Sequence, residues 1–162
     1  MEAEPVPAPP GTTAVSPGSC YQMVATEPAA RAEDISPLVL GDNDAAEMLA
    51  LATLTRPGPF ASHTHQLGRF IGLREDGRLI AMAGERSQPE GFTEVSGVCT
   101  LPDHRGHGHG AALTRIVAAA IFARGETPFL HVYSGNTVAI GLYESLGYEI
   151  RREVAVTVLS RA

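Results

Sequence analysis

The sequence predicts a mixed α/β (α+β) fold: a central, largely antiparallel sheet flanked by helices, ending in β–α–β crossovers. Three observations carry this. Two strand-like runs, residues 68–74 and 78–85, are separated by Asp76-Gly77, a dipeptide that favours the positive φ angles of a two-residue hairpin turn. A strand-like run over 93–100 leads through Arg105-Gly106-His107-Gly108-His109-Gly110 into an alanine-rich helical stretch. Beyond it, an apolar run, a second helical segment and an alternating run close the chain.

In chain order, residues 1–19 carry Pro5, Pro7, Pro9, Pro10 and Pro17 among small residues. Proline cannot donate to a ladder and this composition buries little, so a mobile or extended arm is expected there, with a single domain over 20–162. A short first strand is expected over 20–25, a polar linker over 27–36 and a short extended piece over 37–40. Asp44-Ala45-Ala46-Glu47 has the form of a capping box, followed by Met48, Leu49, Leu51, Ala52 and Leu54 as an apolar helix face. That helix should stop before Pro57, because the residue before a proline is pushed out of helical space. Residues 56–60 read as a stiff turn, His63-Thr64-His65 as loop or short helix, and 88–91 as a second turn. Leu113, Ile116, Val117, Ala120 and Ile121 follow helical spacing, and Gly125 suits the end of that helix. Residues 128–134 read as a buried strand. Asn136 is placed to cap a helix over 137–146 that Gly147 ends, and Val154, Val156 and Val158 alternate in a closing strand over 148–159.

The chain of 162 residues suits one domain, and an apolar fraction of 44% supports a buried core. A net charge of −6 argues against a nucleic-acid partner bound through a basic face. Cys20 and Cys99 are far apart and without metal-ligand spacing. With no cysteine framework and no signal peptide, a cytoplasmic protein is expected. No apolar run reaches the roughly 18 residues of a membrane span, so a soluble protein without a membrane partner is expected.

A glycine-rich loop opening a helix leaves backbone N–H groups without intrahelical partners, where the helix dipole adds partial positive charge. Such a place suits a phosphate or pyrophosphate. A P-loop would need Lys-Ser/Thr after the last glycine, where Ala111-Ala112 stand. Gly106-x-Gly108-x-x-Ala111 fits a dinucleotide fingerprint, but that motif wants an acidic residue ending the next strand. Glu126 precedes that strand and Tyr133-Ser134-Gly135 ends it. His104, His107 and His109 cluster, with His63, His65 and His131 elsewhere, yet no cysteine or acidic residue stands at ligand spacing, so no metal is expected.

The stretch Val98-Cys99-Thr100-Leu101-Pro102-Asp103-His104-Arg105-Gly106-His107-Gly108, with Arg105-x-x-Gly108-x-Gly110 between strand and helix, resembles the pyrophosphate loop of the GNAT acyltransferase superfamily. Asn136-x-x-Ala139-x-x-Leu142-Tyr143-x-x-Leu146-Gly147-Tyr148 resembles that family's second block, in the correct order, and the likeness covers residues 35–160. It implies a GNAT-type fold, with splayed parallel strands at the coenzyme site. The implied activity is an N-acetyltransferase that moves an acetyl group from acetyl-CoA, as co-substrate, to a primary amine by direct attack in a ternary complex. The acceptor would be a small-molecule or peptide amine, and a homodimer is compatible with the family. The alternative is a non-catalytic acyl-CoA-binding or regulatory domain.

The resemblance also implies residue roles. Val98, Cys99 and Thr100 would line the pantetheine arm, with the Val98 N–H near the thioester carbonyl. Backbone N–H groups of Gly106, His107, Gly108, His109 and Gly110 would bind the pyrophosphate, with Arg105 shaping or neutralising the site, and Asn136 would face the coenzyme. Tyr143 matches the position that protonates the departing thiolate. Glu94 stands where a glutamate accepts the amine proton, directly or through water; its side-chain parity matches Ser96 and Val98 in a regular strand. His131 and Tyr133 are alternatives to Glu94. The acceptor pocket is expected from residues 56–66 and 87–92.

Overall fold

The computed structural model describes residues 7–30 and 35–161. Seven strands form one sheet in the order β2-β3-β4-β5-β6-β1-β7: β1 Thr12–Ala25, β2 Leu38–Leu40, β3 Phe70–Glu75, β4 Arg78–Glu85, β5 Phe92–Thr100, β6 Thr127–Tyr133 and β7 Tyr148–Arg161. Three α-helices flank it: α1 Ala45–Thr55, α2 His109–Ala123 and α3 Thr137–Ser145. All recorded pairings are antiparallel except β5–β6, the crossover that α2 spans.

The hairpin between β3 and β4 turns on Asp76 (φ 48°) and Gly77 (φ 79°), both left-handed as a two-residue turn of this type requires. Strand β4 alternates between the two faces of the sheet. Ala81 and Ala83 face one way, letting α2 approach closely with Leu113, Val117 and Ile121. Ile80 and Met82 face the other way, against Met48, Leu51 and Ala52 of α1. Two cores result, one on each face. No helix among the described residues is long and apolar enough to cross a membrane.

Two expectations are corrected. Strand β1 begins at Thr12, so residues 12–19 of the expected free arm are part of the sheet, paired with β7 from Thr12↔Arg161 to Ser19↔Ala155. Only Cys20–Val24 also pair with β6. The first part of β1 therefore has one unpaired edge in the recorded ladder, the setting in which a strand tolerates a proline such as Pro17. Residues 1–6 of the expected arm and 31–34 of the expected linker lie outside the described residues. The expected closing crossover is present: β6 and β7 run parallel to one another with β1 antiparallel between them. The second correction is at α1, where Asp44 and Glu47 do not form a capping box. Asp44 accepts from the Gly41 N–H at 2.9 Å and from Arg74 Nη2 at 2.6 Å, and Glu47 also accepts from that guanidinium. The cationic partner on β3 outcompetes a local cap.

Candidate active site

Strand β5 organises the site by leaving its neighbour. It pairs with β6 from Phe92↔Thr127 to Glu94↔Phe129, and no further pairing follows. On its other side the register with β4 shifts: Gly84 opposes Ser96 and Met82 opposes Cys99, so two residues of β5 face Ala83 alone. This is a bulge, built on Gly97 at φ 64°. A Cβ on Gly97 would stand 2.9 Å from the Phe70 ring, so both conformation and space demand glycine. The bulge overturns the expected parity. Val95 and Val98 both pack against the α2 core, whereas Glu94 lies on the opposite face.

Two cavities open where the strands part. The larger, about 690 Å³, is walled by Val98, Cys99 and Thr100 of β5 and by Arg105, Gly106, Gly108, His109 and Gly110 of the glycine loop. Asn136, which caps α3, and Ala139, Leu142 and Tyr143 of α3 also line it, and His107 is outside its lining. Gly106 and Gly108 have φ 81° and 77°, which only glycine adopts cheaply, and Gly108 is the residue before α2. No side chain caps that helix start, so its first N–H groups lack a side-chain acceptor. A Cβ on Gly110 would stand 3.8 Å from Thr100 Oγ1 and 3.8 Å from Val98 Cγ1, which shows that the bare helix start faces the opened strand. Arg105 Nε donates to the Thr100 carbonyl at 3.4 Å, tying the loop back to the end of β5. A phosphate-bearing ligand suits these donors.

The smaller cavity, about 360 Å³, is lined by Glu94, Ser96, Arg86, His131 and Tyr133, with Cys20 of β1 and Val154–Val156 of β7. Val98, Asn136, Ala139 and Tyr143 line both cavities, as do Arg56 and Pro57 beyond α1. The two spaces therefore meet at Tyr143. Residues 56–59 of the expected acceptor region do line this cavity, whereas 87–92 do not, Arg86 just before them taking that place.

Burial is the largest influence on the titrating groups. It pushes the Tyr143 phenol up to about 12, with a smaller push from Cys99, so the hydroxyl keeps its proton at neutral pH. Burial likewise pushes the Cys99 thiol up to about 11, which leaves it inert. Glu94 is 3% exposed. Burial raises its carboxyl, but hydrogen bonds from His131 and Arg86 and the Arg86 charge outweigh that and hold it below the ordinary glutamate range. Arg86 donates to Oε2 at 3.1 Å and to Oε1 at 2.7 Å, and His131 Nδ1 lies 2.9 Å from Oε1. Asn136 Oδ1 accepts from the Ala139 N–H at 3.2 Å, so the asparagine caps α3 while bordering both cavities.

A family model described as FR47-like protein matches residues 70–156. A crystal structure assigned to the GNAT family of acetyltransferases, from Novosphingobium aromaticivorans, is 49% identical to this chain. It covers 99% of this chain and 72% of its own, with a TM-score of 0.91. The chain belongs to the GNAT family. The N-alpha-acetyltransferase RimI of Mycobacterium tuberculosis is 32% identical over 101 residues, which is 57% of this chain and 62% of that relative. A GCN5-related N-acetyltransferase from Kribbella flavida is 28% identical with a TM-score of 0.63, covering 93% of this chain and 60% of that one. The chain thus spans less than two thirds of both these relatives.

Within this GNAT chain, the loop, β5 and α3 residues singled out in the sequence surround one space, except His107, and Glu94 stands in the adjoining one. Sequence reasoning missed Arg86 and Cys20. Arg86 carried no motif, and its pairing to Glu94 depends on the turn that folds residue 86 back beside β5. Cys20 enters only because β1 sits beside β6.

Proposed function

We propose that this GNAT acetyltransferase moves an acetyl group from acetyl-CoA to a primary amine by direct attack, with donor and acceptor held together. The observation that carries the proposal is the junction of the two cavities at Tyr143. The larger would take the coenzyme. Its pyrophosphate would lie on the N–H groups at the start of α2, and its pantetheine arm would follow the open edge of Val98, Cys99 and Thr100. A backbone donor such as the Val98 N–H, aimed at the developing oxyanion, is a strong catalytic device. The smaller cavity would take the amine.

Tyr143 and Glu94 are the proposed catalytic side chains. Burial raises the Tyr143 phenol, so it gives up its proton reluctantly. Its role is therefore to donate a hydrogen bond to the departing sulfur, with solvent completing the protonation. Glu94 serves the amine end, where the amine proton is proposed to be removed.

The acceptor proposed is a small-molecule or peptide amine, the latter because one relative is an N-alpha-acetyltransferase. The site is proposed as residues 94–143 of a single domain that includes β1 from Thr12, in a cytoplasmic protein. A screen of amines, including amino acids, polyamines and alanine-initiated peptides, with acetyl-CoA and a free-thiol readout tests it. Thiol release that depends on the amine supports transfer. Binding of acetyl-CoA without turnover across the panel would favour a non-catalytic coenzyme-binding domain instead.

A further inference from the structure

Both carboxylate oxygens of Glu94 are already engaged. Oε1 accepts from both Arg86 Nη2 and His131 Nδ1, and Oε2 accepts from Arg86 Nε. The residue is buried, and a carboxylate held by a guanidinium in this way is a poor proton acceptor. His131 is different: its side chain is 30% exposed and lines the smaller cavity beside Glu94.

The tautomer of His131 follows from its neighbours. An ionised carboxylate only accepts, so Nδ1 carries the hydrogen that reaches Glu94 Oε1 at 2.9 Å. On the other side, Arg151 Nη1 donates to Gln22 Oε1 at 2.7 Å, which turns the Gln22 amide nitrogen toward the ring. That nitrogen lies 3.4 Å from His131 Nε2 and only donates, so Nε2 presents its lone pair. The contact is long and weak, one that an ammonium group can replace. Around the ring stand Glu94 from β5, Arg86 from the β4–β5 turn, Gln22 from β1 and Arg151 from β7, with the Phe129 ring edge-on at 5.7 Å.

We propose that His131 Nε2 takes the proton from the acceptor amine, with Glu94 as the positioning residue that fixes its ring and Arg86 holding Glu94 in turn. This rests on the N-acetyltransferase reading above. The amine enters as an ammonium ion and gives one proton to Nε2, which passes it to solvent. The freed nitrogen pair forms the C–N bond at the thioester carbonyl, and the C–S bond breaks. Sulfur leaves as thiolate, hydrogen-bonded by Tyr143, and is protonated from water. The nitrogen loses its second proton as the amide forms, so each turnover releases one proton net.

The test uses the full chain, acetyl-CoA and whichever panel amine gives the fastest thiol release. His131→Gln should lower kcat/KM for the amine by about 10²–10³ and leave KM for acetyl-CoA unchanged. It should also remove the acidic limb of the pH profile. Glu94→Gln should cost less, because His131 itself remains in place. Nitrogen-15 NMR of the ring gives a readout without acceptor: Nδ1 protonated and Nε2 bare in the wild type, a preference lost in Glu94→Gln. Retained activity in His131→Gln, a larger loss in Glu94→Gln with the limb intact in His131→Gln, or an Nε2–H ring overturns the proposal while the N-acetyltransferase reading stands. If wild type releases no thiol with any amine and acetyl-CoA does not stabilise it, that reading fails and the proposal fails with it.

Discussion

Gly110 separates the effect of charge at the glycine loop from the effect of bulk. It is the second residue of α2 and has no positive φ, so substitution there brings no backbone strain. In Gly110→Ala the new methyl meets Thr100 and Val98 at 3.8 Å, an ordinary contact. Replacing glycine in a helix adds about 0.5–1 kcal/mol, which raises the melting midpoint by about 1–4 °C for a chain of this size. Acetyl-CoA binding should change little. Gly110→Asp keeps the helix too, because a carboxylate in the first turn is favourable by about 0.3–1 kcal/mol. It also places a negative charge where the pyrophosphate is proposed to lie. At about 5 Å and an effective dielectric near 20, each unit of phosphate charge costs about 3 kcal/mol, or roughly 100-fold in affinity. Ligand at about 100 times the wild-type dissociation constant stabilises wild type by about 2.7 kcal/mol. At the same concentration a site weakened 100-fold keeps only about 0.4 kcal/mol. Differential scanning fluorimetry should thus show an acetyl-CoA shift of about 5–10 °C in wild type and Gly110→Ala, falling to about 1–2 °C in Gly110→Asp. A full shift in Gly110→Asp would refute pyrophosphate binding at this loop.

Tyr143→Phe removes a hydrogen bond to a charged sulfur worth about 1.5–3 kcal/mol, so kcat should fall about 10- to 100-fold with KM for acetyl-CoA nearly unchanged; steady-state kinetics checks this. The carboxyl of Glu94 sits below its unfolded value of about 4.3, so its contribution to stability is complete above that pH and is lost as pH falls through the folded value. Urea midpoints measured on acidification below about pH 4.3 should therefore drop faster for wild type than for Glu94→Gln, and parallel curves would contradict the ion pairing. Leu113→Ala empties a fully buried position between α2 and the sheet and should cost about 3 kcal/mol, lowering the midpoint by about 6–12 °C in calorimetry.

Local chemistry was legible and long-range pairing was not. Asp76-Gly77 announced its hairpin because both residues accept positive φ, and the structure has both there. Asn136 and Gly147 bracket α3 as their capping chemistry requires. Nothing local tells residues 12–19 that β7 will pair with them, and Pro17 argues the other way. The Gly97 bulge was equally hidden: one glycine in a strand does not say which residues its partner will skip, so the side of Val98 relative to Glu94 came out reversed. Asp44 and Glu47 fit a helix-start pattern until Arg74, thirty residues from Asp44, is brought beside them. The role of Glu94 was legible only through the resemblance to the GNAT family. The engagement of Glu94 by Arg86 and His131 was not legible, since three separate elements converge on it.

Hydrogen exchange with and without coenzyme A tests the central claim most directly. Backbone N–H groups of the glycine loop and the opened edge of β5 are proposed to hold the coenzyme. Exchange should therefore slow at residues 106–111 and 98–100 when coenzyme A is added, while β2 and β3, remote from the larger cavity, keep their rates. Unchanged exchange at the loop at saturating coenzyme A, or protection confined to other elements, would contradict the account.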